Sequence, residues 1–255
     1  MKIAILGAGA FGTALGGILA DNGYDIDYYD PKFEKENLSS VLDGAAYILL
    51  ASPSSAAPYL LPHLPKDVPM IIATKGFLND KQFLAFDDYM IISGPGFADD
   101  IKAGKNTYFT ITDKKLKDLF GADYISFDYT NDTCGVLMCG ALKNVYAIQA
   151  GILGLKRNSL SWKEYIINAS SEIKTILSFN GASEKTMDLY CGIFDLELTC
   201  GYPSRNYEYG DLLRRDNSYI PVKTVEGLAA LKRIKRGEIK VPDDAFIIKN
   251  LMERF

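Results

Sequence analysis

A glycine-rich turn within the first dozen residues restricts how this 255-residue chain can begin to fold. Lys2-Ile-Ala-Ile-Leu6 is an apolar run rich in β-branched residues, long enough for one buried strand. Gly7-Ala-Gly-Ala-Phe-Gly12 follows at once in G-x-G-x-x-G spacing, and Thr13 to Asn22 reads as a helix with Ala14, Leu15, Ile18 and Leu19 on one face. Tyr24 to Tyr29 reads as a second strand ending on Asp30, 23 residues beyond Gly7. Strand, glycine turn, helix, strand and terminal acid together predict a βαβ unit that holds a dinucleotide. Gly7 permits the turn, Gly9 lets a pyrophosphate approach the backbone, and Gly12 brings the helix close to the strand. The positive end of the helix dipole then meets the phosphates. Asp30 is placed to accept from ribose hydroxyls and to repel a 2′-phosphate, which favours NAD over NADP. The alternative is a plain βαβ unit whose glycines serve only the turn.

Further apolar runs occur at Tyr47–Ala51, Met70–Ala73, Tyr89–Ile92, Tyr108–Thr112 and Asp123–Phe127. Continuous rather than alternating runs imply strands covered on both faces. Three of them end in small polar turns, Ser52-Pro53-Ser54-Ser55, Thr74-Lys75-Gly76 and Ser93-Gly94-Pro95-Gly96. In open sheets of this kind such turns rim the ligand crevice. Pro31 to Ala46 has room for one small helix at most. Strand-like runs cease near Tyr129–Thr133. Beyond that point Cys134–Leu155, Trp162–Asn180, Ser183–Tyr190, Tyr207–Arg214, Val222–Arg236 and Asp243–Arg254 read as helices. The expected architecture is α/β: an N-terminal Rossmann-like, doubly wound, mostly parallel sheet over residues 1–130, then an all-α domain over residues 131–255.

Apolar residues make up 48% and charged residues 24%, with a net charge of −4 and no long single-sign block, so nothing points to a nucleic-acid partner. Cys134, Cys139, Cys191 and Cys200 show no metal spacing and read as reduced thiols of a cytoplasmic protein. A strand starting at Lys2 leaves no room for a signal peptide, and the apolar runs are too short for a membrane span. The single histidine, His63, reads as a surface loop residue. Proton transfer then falls to lysine, carboxylate or tyrosine.

The stretch Cys134 to Leu153 is apolar nearly all round, which predicts a buried helix, yet Lys143 and Asn144 stand at its centre. A buried ammonium escapes its desolvation cost by a lowered pKa, and such a lysine is a competent base near neutral pH. A lysine that snorkels to water is the competing reading. Lys75 reads equally as a ligand at the crevice rim or a solvated turn residue. Should it approach Lys143, each lowers the other's pKa. Asp195, in an apolar stretch, is either a partner of Lys143 or a helix cap. Ser204-Arg205-Asn206 suits a phosphate or carboxylate, or is a capped turn with a surface arginine.

Taken in order, Gly7–Leu15, Ala73-Thr-Lys-Gly76, Ser93-Gly-Pro95 with Phe97-Ala98, Leu142-Lys-Asn144, Asp195-Leu with Leu198-Thr-Cys200, Ser204-Arg-Asn206 and Val225-Glu-Gly227 resemble the NAD(P)-dependent sn-glycerol-3-phosphate dehydrogenase family, from residue 1 to about 227. The resemblance implies reversible hydride transfer between sn-glycerol 3-phosphate and dihydroxyacetone phosphate, supply of glycerol 3-phosphate for phospholipid synthesis, and a homodimer. It matches Lys143 to the proton acceptor, with Asn144 beside it, and Lys75 to the lysine that touches cofactor and substrate. Gly94 and Gly96 fall in the substrate turn and Ala98 beside the cofactor. Asp195 and Thr199 complete the site. Arg205 clamps the substrate phosphate and reaches the cofactor, with Ser204 and Asn206 alongside. Glu226 binds cofactor, and Ala10 and Phe11 lie against the pyrophosphate. This chain departs from the family in being shorter, in having Gly96 where a hydroxyl residue is usual, in Ile167-Asn168-Ala169 where Thr-Arg-Gly is usual, and in the acid at Asp30. A related ketopantoate- or β-hydroxyacid-type reductase and a catalytically inactive NAD-binding protein are the alternative expectations.

Overall fold

The computed structural model describes residues 1–32, 37–222 and 224–255. Contacts divide the chain into two units: Met1–Thr74 with Asp80–Thr133, and Lys75–Asn79 with Cys134–Phe255. The expected boundary at residues 130/131 makes no provision for the short Lys75–Asn79 segment, which packs with the helical unit.

The first unit alternates strands and helices: β1 (Lys2–Leu6), α1 (Ala10–Asp21), β2 (Asp25–Tyr29), α2 (Leu38–Leu42), β3 (Tyr47–Leu50), α3 (Ala57–Leu60), β4 (Met70–Ile72), β5 (Tyr89–Ser93), α4 (Ala98–Lys102), β6 (Thr107–Ile111), α5 (Lys115–Phe120) and β7 (Ile125–Tyr129). The sheet order is β2-β1-β3-β4-β5-β6-β7. Every pair is parallel except β5–β6, which meets through Ile92 opposite Ile111. Ile3 lies beside Ile26 on one side and Tyr47 on the other, so the strand order reverses between β1 and β3. Ligands of open sheets bind at the carboxyl ends beside such a reversal. Ile3, Ile5, Leu15, Ile18, Leu19, Leu49, Ile71 and Phe109 form one dry core over the sheet. Burying each such side chain contributes about 1.5–3 kcal/mol. Helix α1 starts at Ala10, earlier than the apolar pattern suggests, because Gly9 itself is the cap residue. Residues 33–36 of the expected β2–β3 connection lie outside the described residues.

The second unit is helical: α6 (Thr133–Ile152), α7 (Leu160–Phe179), α8 (Asp195–Thr199), α9 (Arg205–Arg215), α10 (Glu226–Lys235) and α11 (Phe246–Arg254). Helix α6 is buried without a break from Gly135 to Ile148, as its all-round apolarity predicts. The Ser159 hydroxyl caps α7 by accepting from the Trp162 N–H. The helix expected over Ser183–Tyr190 is instead a 3₁₀ turn, Glu184–Asp188, followed by a π-type turn, Tyr190–Phe194. Gly192 breaks the helical path there, lying so close to Met187 that a Cβ would fall 2.2 Å from its carbonyl oxygen. The helix expected from Val222 begins only at Glu226, with acid in its first turn and Lys232, Arg233 and Lys235 in its last, the arrangement its dipole favours. Among the described residues no helix is long and apolar enough to cross a membrane.

Candidate active site

The glycine turn has the close approaches its spacing implies. Gly7 adopts φ +117°, and a Cβ on it would lie 2.6 Å from the Ser52 nitrogen. A Cβ on Gly12 would lie 2.0 Å from the Gly7 carbonyl oxygen, so only glycine allows α1 so near β1. Around Gly9 there is open space, and α1 begins there without a side-chain cap. An uncapped helix start beside bare backbone is the cradle a pyrophosphate needs. Ala10 and Phe11 form the first turn of α1, Ala10 exposed and Phe11 packed on the core. Asp30 reaches back to the turn: its carboxylate accepts from the Ala8 N–H at 3.1 Å and from the Lys32 N–H at 3.1 Å. These residues fit a nicotinamide dinucleotide. Gly94 and Gly96 lie in the β5–α4 turn of the same unit and Ala98 opens α4, with the Gly94 backbone packed against the Tyr108 carbonyl.

Within the helical unit one cluster gathers charges from three distant stretches. Lys143 sits mid-α6 and is 3% exposed, and Asp195, first residue of α8, is 1% exposed. Their side chains form an ion pair. Lys75 Nζ lies 3.2 Å from the same Asp195 oxygen. Lys143 therefore does not snorkel, and Asp195 partners two ammoniums. Burial lowers the Lys143 pKa to about 7; Asp195 opposes that shift and Lys75 reinforces it. Burial pushes Asp195 upward, but Lys143 and Lys75 together outweigh it and hold the carboxyl below its ordinary value. Burial pushes the neighbouring Cys200 thiol up against the pull of Lys143, so the thiol stays protonated. The Thr199 hydroxyl donates to the Asp195 carbonyl at 2.6 Å. A cluster of one buried carboxylate and two lysines, one of them poised at neutrality, is equipped to exchange a proton and to stabilise negative charge on an oxygen.

Beside it runs an amide chain. Asn206 donates to Asn144 Oδ1 at 2.8 Å and accepts from the Gly227 N–H at 2.9 Å, while Asn144 donates to the Gly140 carbonyl. These bonds tie α6, α9 and α10 together next to Lys143. A Cβ on Gly227 would lie 2.3 Å from the Asn144 carbonyl oxygen, so α10 approaches α6 as only glycine permits. Glu226 is the first residue of α10. Ser204 is the N-cap of α9, accepting from the Tyr207 N–H, and Arg205 follows, exposed, lining a cavity of about 250 Å³ with Tyr209 and Tyr219. Asn168, one of the departures in sequence, lines a different cavity with Gln149 and Glu172. His63 is exposed in a 3₁₀ turn of the first unit.

Sequence reasoning missed the brace behind α8. The Trp162 indole N–H donates to the Cys200 carbonyl at 2.7 Å, fixing the end of the helix that carries Asp195 and Thr199. The available signal was the chain's only tryptophan, whose buried N–H demands an acceptor.

Residues 132–250 match the family model described as NAD-dependent glycerol-3-phosphate dehydrogenase C-terminus. A glycerol-3-phosphate dehydrogenase [NAD(P)+] of Leptospira biflexa is 32% identical over 86% of this chain and 80% of its own length. One from Bacillus velezensis is 29% identical over 94% of this chain and 87% of its own. The crystal structure of glycerol-3-phosphate dehydrogenase from Coxiella burnetii superposes with a TM-score of 0.82 at 24% identity, covering 98% of this chain and 94% of the other.

Proposed function

Because the chain belongs to the NAD(P)-dependent glycerol-3-phosphate dehydrogenases, we propose that its Lys143–Asp195–Lys75 cluster handles the proton in the reversible oxidation of sn-glycerol 3-phosphate to dihydroxyacetone phosphate. The observation that carries this role is a single buried carboxylate shared by two lysines, one of them fully buried. In oxidation the neutral Lys143 amine takes the proton of the substrate's C2 hydroxyl as the hydride leaves C2. In reduction the Lys143 ammonium returns that proton to the carbonyl oxygen. When bound, the dinucleotide supplies the hydride acceptor or donor. With a pKa of about 7, Lys143 has both forms populated at neutral pH, so neither direction needs a costly protonation step. Asp195 keeps the charged form accessible, and Lys75 sets a second cation near the oxygen where charge develops.

Residues 1–130 serve as the dinucleotide-binding domain and 131–255 as the substrate domain. Gly7, Gly9, Ala10, Phe11 and Gly12 hold the pyrophosphate, Asp30 the ribose, and Ala98 and Glu226 other parts of the cofactor. The acid at Asp30 favours NAD over NADP. Gly94, Gly96, Thr199 and Ser204 shape the substrate site. Arg205 anchors the phosphate, and Asn144 and Asn206 keep α6, α9 and α10 in register around it. Cysteines kept as thiols rather than disulfides fit a cytoplasmic setting, and the family likeness supports a homodimer and a role in supplying phospholipid synthesis.

Purified protein is expected to oxidise NADH faster than NADPH with dihydroxyacetone phosphate, and to turn over phosphate-free keto acids poorly. Arg205→Ala should cut kcat/KM for the phosphorylated substrate by roughly 10- to 100-fold, the loss of one charged hydrogen-bonded anchor, and leave any activity on phosphate-free substrates unchanged. NADH binding without turnover of dihydroxyacetone phosphate would contradict the assignment, and preference for an unphosphorylated keto acid would favour the reductase alternative.

A further inference from the structure

Lys75 is held at Asp195 by a segment that leaves strand β4 and packs with the helical unit. One fastening of that segment comes from far away in sequence. Arg233, in the last turn of α10, donates through Nη1 to the Gly76 carbonyl at 2.9 Å. Its guanidinium also lies over the Phe77 ring, 5.7 Å from the centroid. Glu238 holds the guanidinium in turn, accepting from Nε at 2.9 and 2.8 Å and pairing with Nη2 at 2.7 Å. Phe77 and Leu78 are buried beneath. The planar fork thus uses three features at once: a carbonyl, an aromatic face and a carboxylate. Lysine cannot reproduce that set.

From this geometry we infer that Arg233, aimed by Glu238, is a positioning residue that sets Lys75 against Asp195, an inference that rests on the proposed role of the lysine–aspartate cluster. The Gly76 carbonyl belongs to the residue next to Lys75, so releasing it loosens the backbone from which the Lys75 side chain reaches Asp195. The ordinary alternative is a partly exposed ion pair that merely closes the end of α10, of the kind worth little at a surface. The two differ in what reaches Lys143. If Arg233 positions Lys75, losing it removes a repelling cation from Lys143 and leaves Asp195 to Lys143 alone. Both changes favour the Lys143 ammonium.

The test compares Arg233→Met, Arg233→Lys, Glu238→Gln and Lys75→Met with the unaltered protein, all well below the thermal transition. The readouts are kcat for glycerol 3-phosphate oxidation, its pH midpoint, and NADH affinity. Arg233→Met is expected to lower kcat by roughly 10- to 100-fold, as small misplacements of a reacting group do. It should also move the midpoint to higher pH by about one unit and leave NADH affinity intact. Arg233→Lys should restore part of both, and Glu238→Gln should shift both by less in the same direction. Glu238→Gln also serves as the deciding variant if Arg233→Met fails to fold. Lowered melting temperature with unchanged kcat and midpoint in the Arg233 and Glu238 variants would overturn the inference, provided Lys75→Met moves the midpoint. Should Lys75→Met leave the midpoint in place as well, the role given to Lys75 is what fails.

Discussion

Lys143→Met should reduce turnover of dihydroxyacetone phosphate by about 10²–10⁴-fold, the usual worth of a positioned general acid or base. Methionine is unbranched and replaces the apolar stem of lysine, lacking only the terminal ammonium position, so the space beside α6 stays largely filled. Asp195 keeps Lys75 as a partner at 3.2 Å and is not left as an unpaired buried charge. The loss should therefore be kinetic: NADH affinity stays near its original value and the protein stays folded. Both are measured directly, by NADH fluorescence titration and by steady-state rates on the same preparation. A variant that turns over within a factor of three of the unaltered protein would remove Lys143 from the chemistry.

Asp195→Asn should instead be felt as instability. The amide fits the same space but leaves two ammoniums facing each other, one of them buried. Removing one partner of a buried ion pair costs about 3–5 kcal/mol. Part of that is avoided because Lys143 can shed its proton. The sign of the pH dependence follows. Burial already lowers the Lys143 pKa in the folded protein to about 7, and without Asp195 it falls further. Between the folded value and the unfolded value of about 10.4, the unfolded chain binds more protons, so stability rises with pH. In the variant this window reaches to lower pH than in the unaltered protein. The gap in melting temperature should thus widen as pH falls from 8.5 to 5.5. Equal melting temperatures at pH 5.5 would mean that Asp195 does not carry the lysines.

Much of this was legible from residue order. The glycine turn, its flanking strand and helix, and the acid closing the second strand are local patterns, and the structure places Asp30 against the Ala8 amide as a local pattern allows. Lys143 was legible as a candidate buried charge because most of its helix is apolar, but burial and snorkelling to water stayed open until Asp195 was found beside it. Its partners were open alternatives: Lys75 and Asp195 are 68 and 52 residues away, and spacing in sequence carries no record of such contacts. Arg233 and Gly76 are 157 residues apart, and nothing near either one announces the other. Ser204 satisfied the bland reading, a helix cap, without excluding the ligand role of Arg205 next to it. The antiparallel β5–β6 pair was invisible because apolar runs report burial, not direction. The helix expected over Ser183–Tyr190 is only a 3₁₀ turn over Glu184–Asp188, and just beyond it Gly192 leaves the helical path in close approach to Met187, a tertiary fact that residue order does not carry.

The claim at the centre is that one lysine, buried against a carboxylate, changes charge near neutral pH. Heteronuclear NMR of lysine-labelled protein measures this directly, by following side-chain signals between pH 5.5 and 10.5 and identifying residue 143 by its absence from Lys143→Met. One signal with a midpoint near 7, missing from that variant, is the expected result. A Lys143 signal that titrates with the surface lysines, near 10.4, would contradict it.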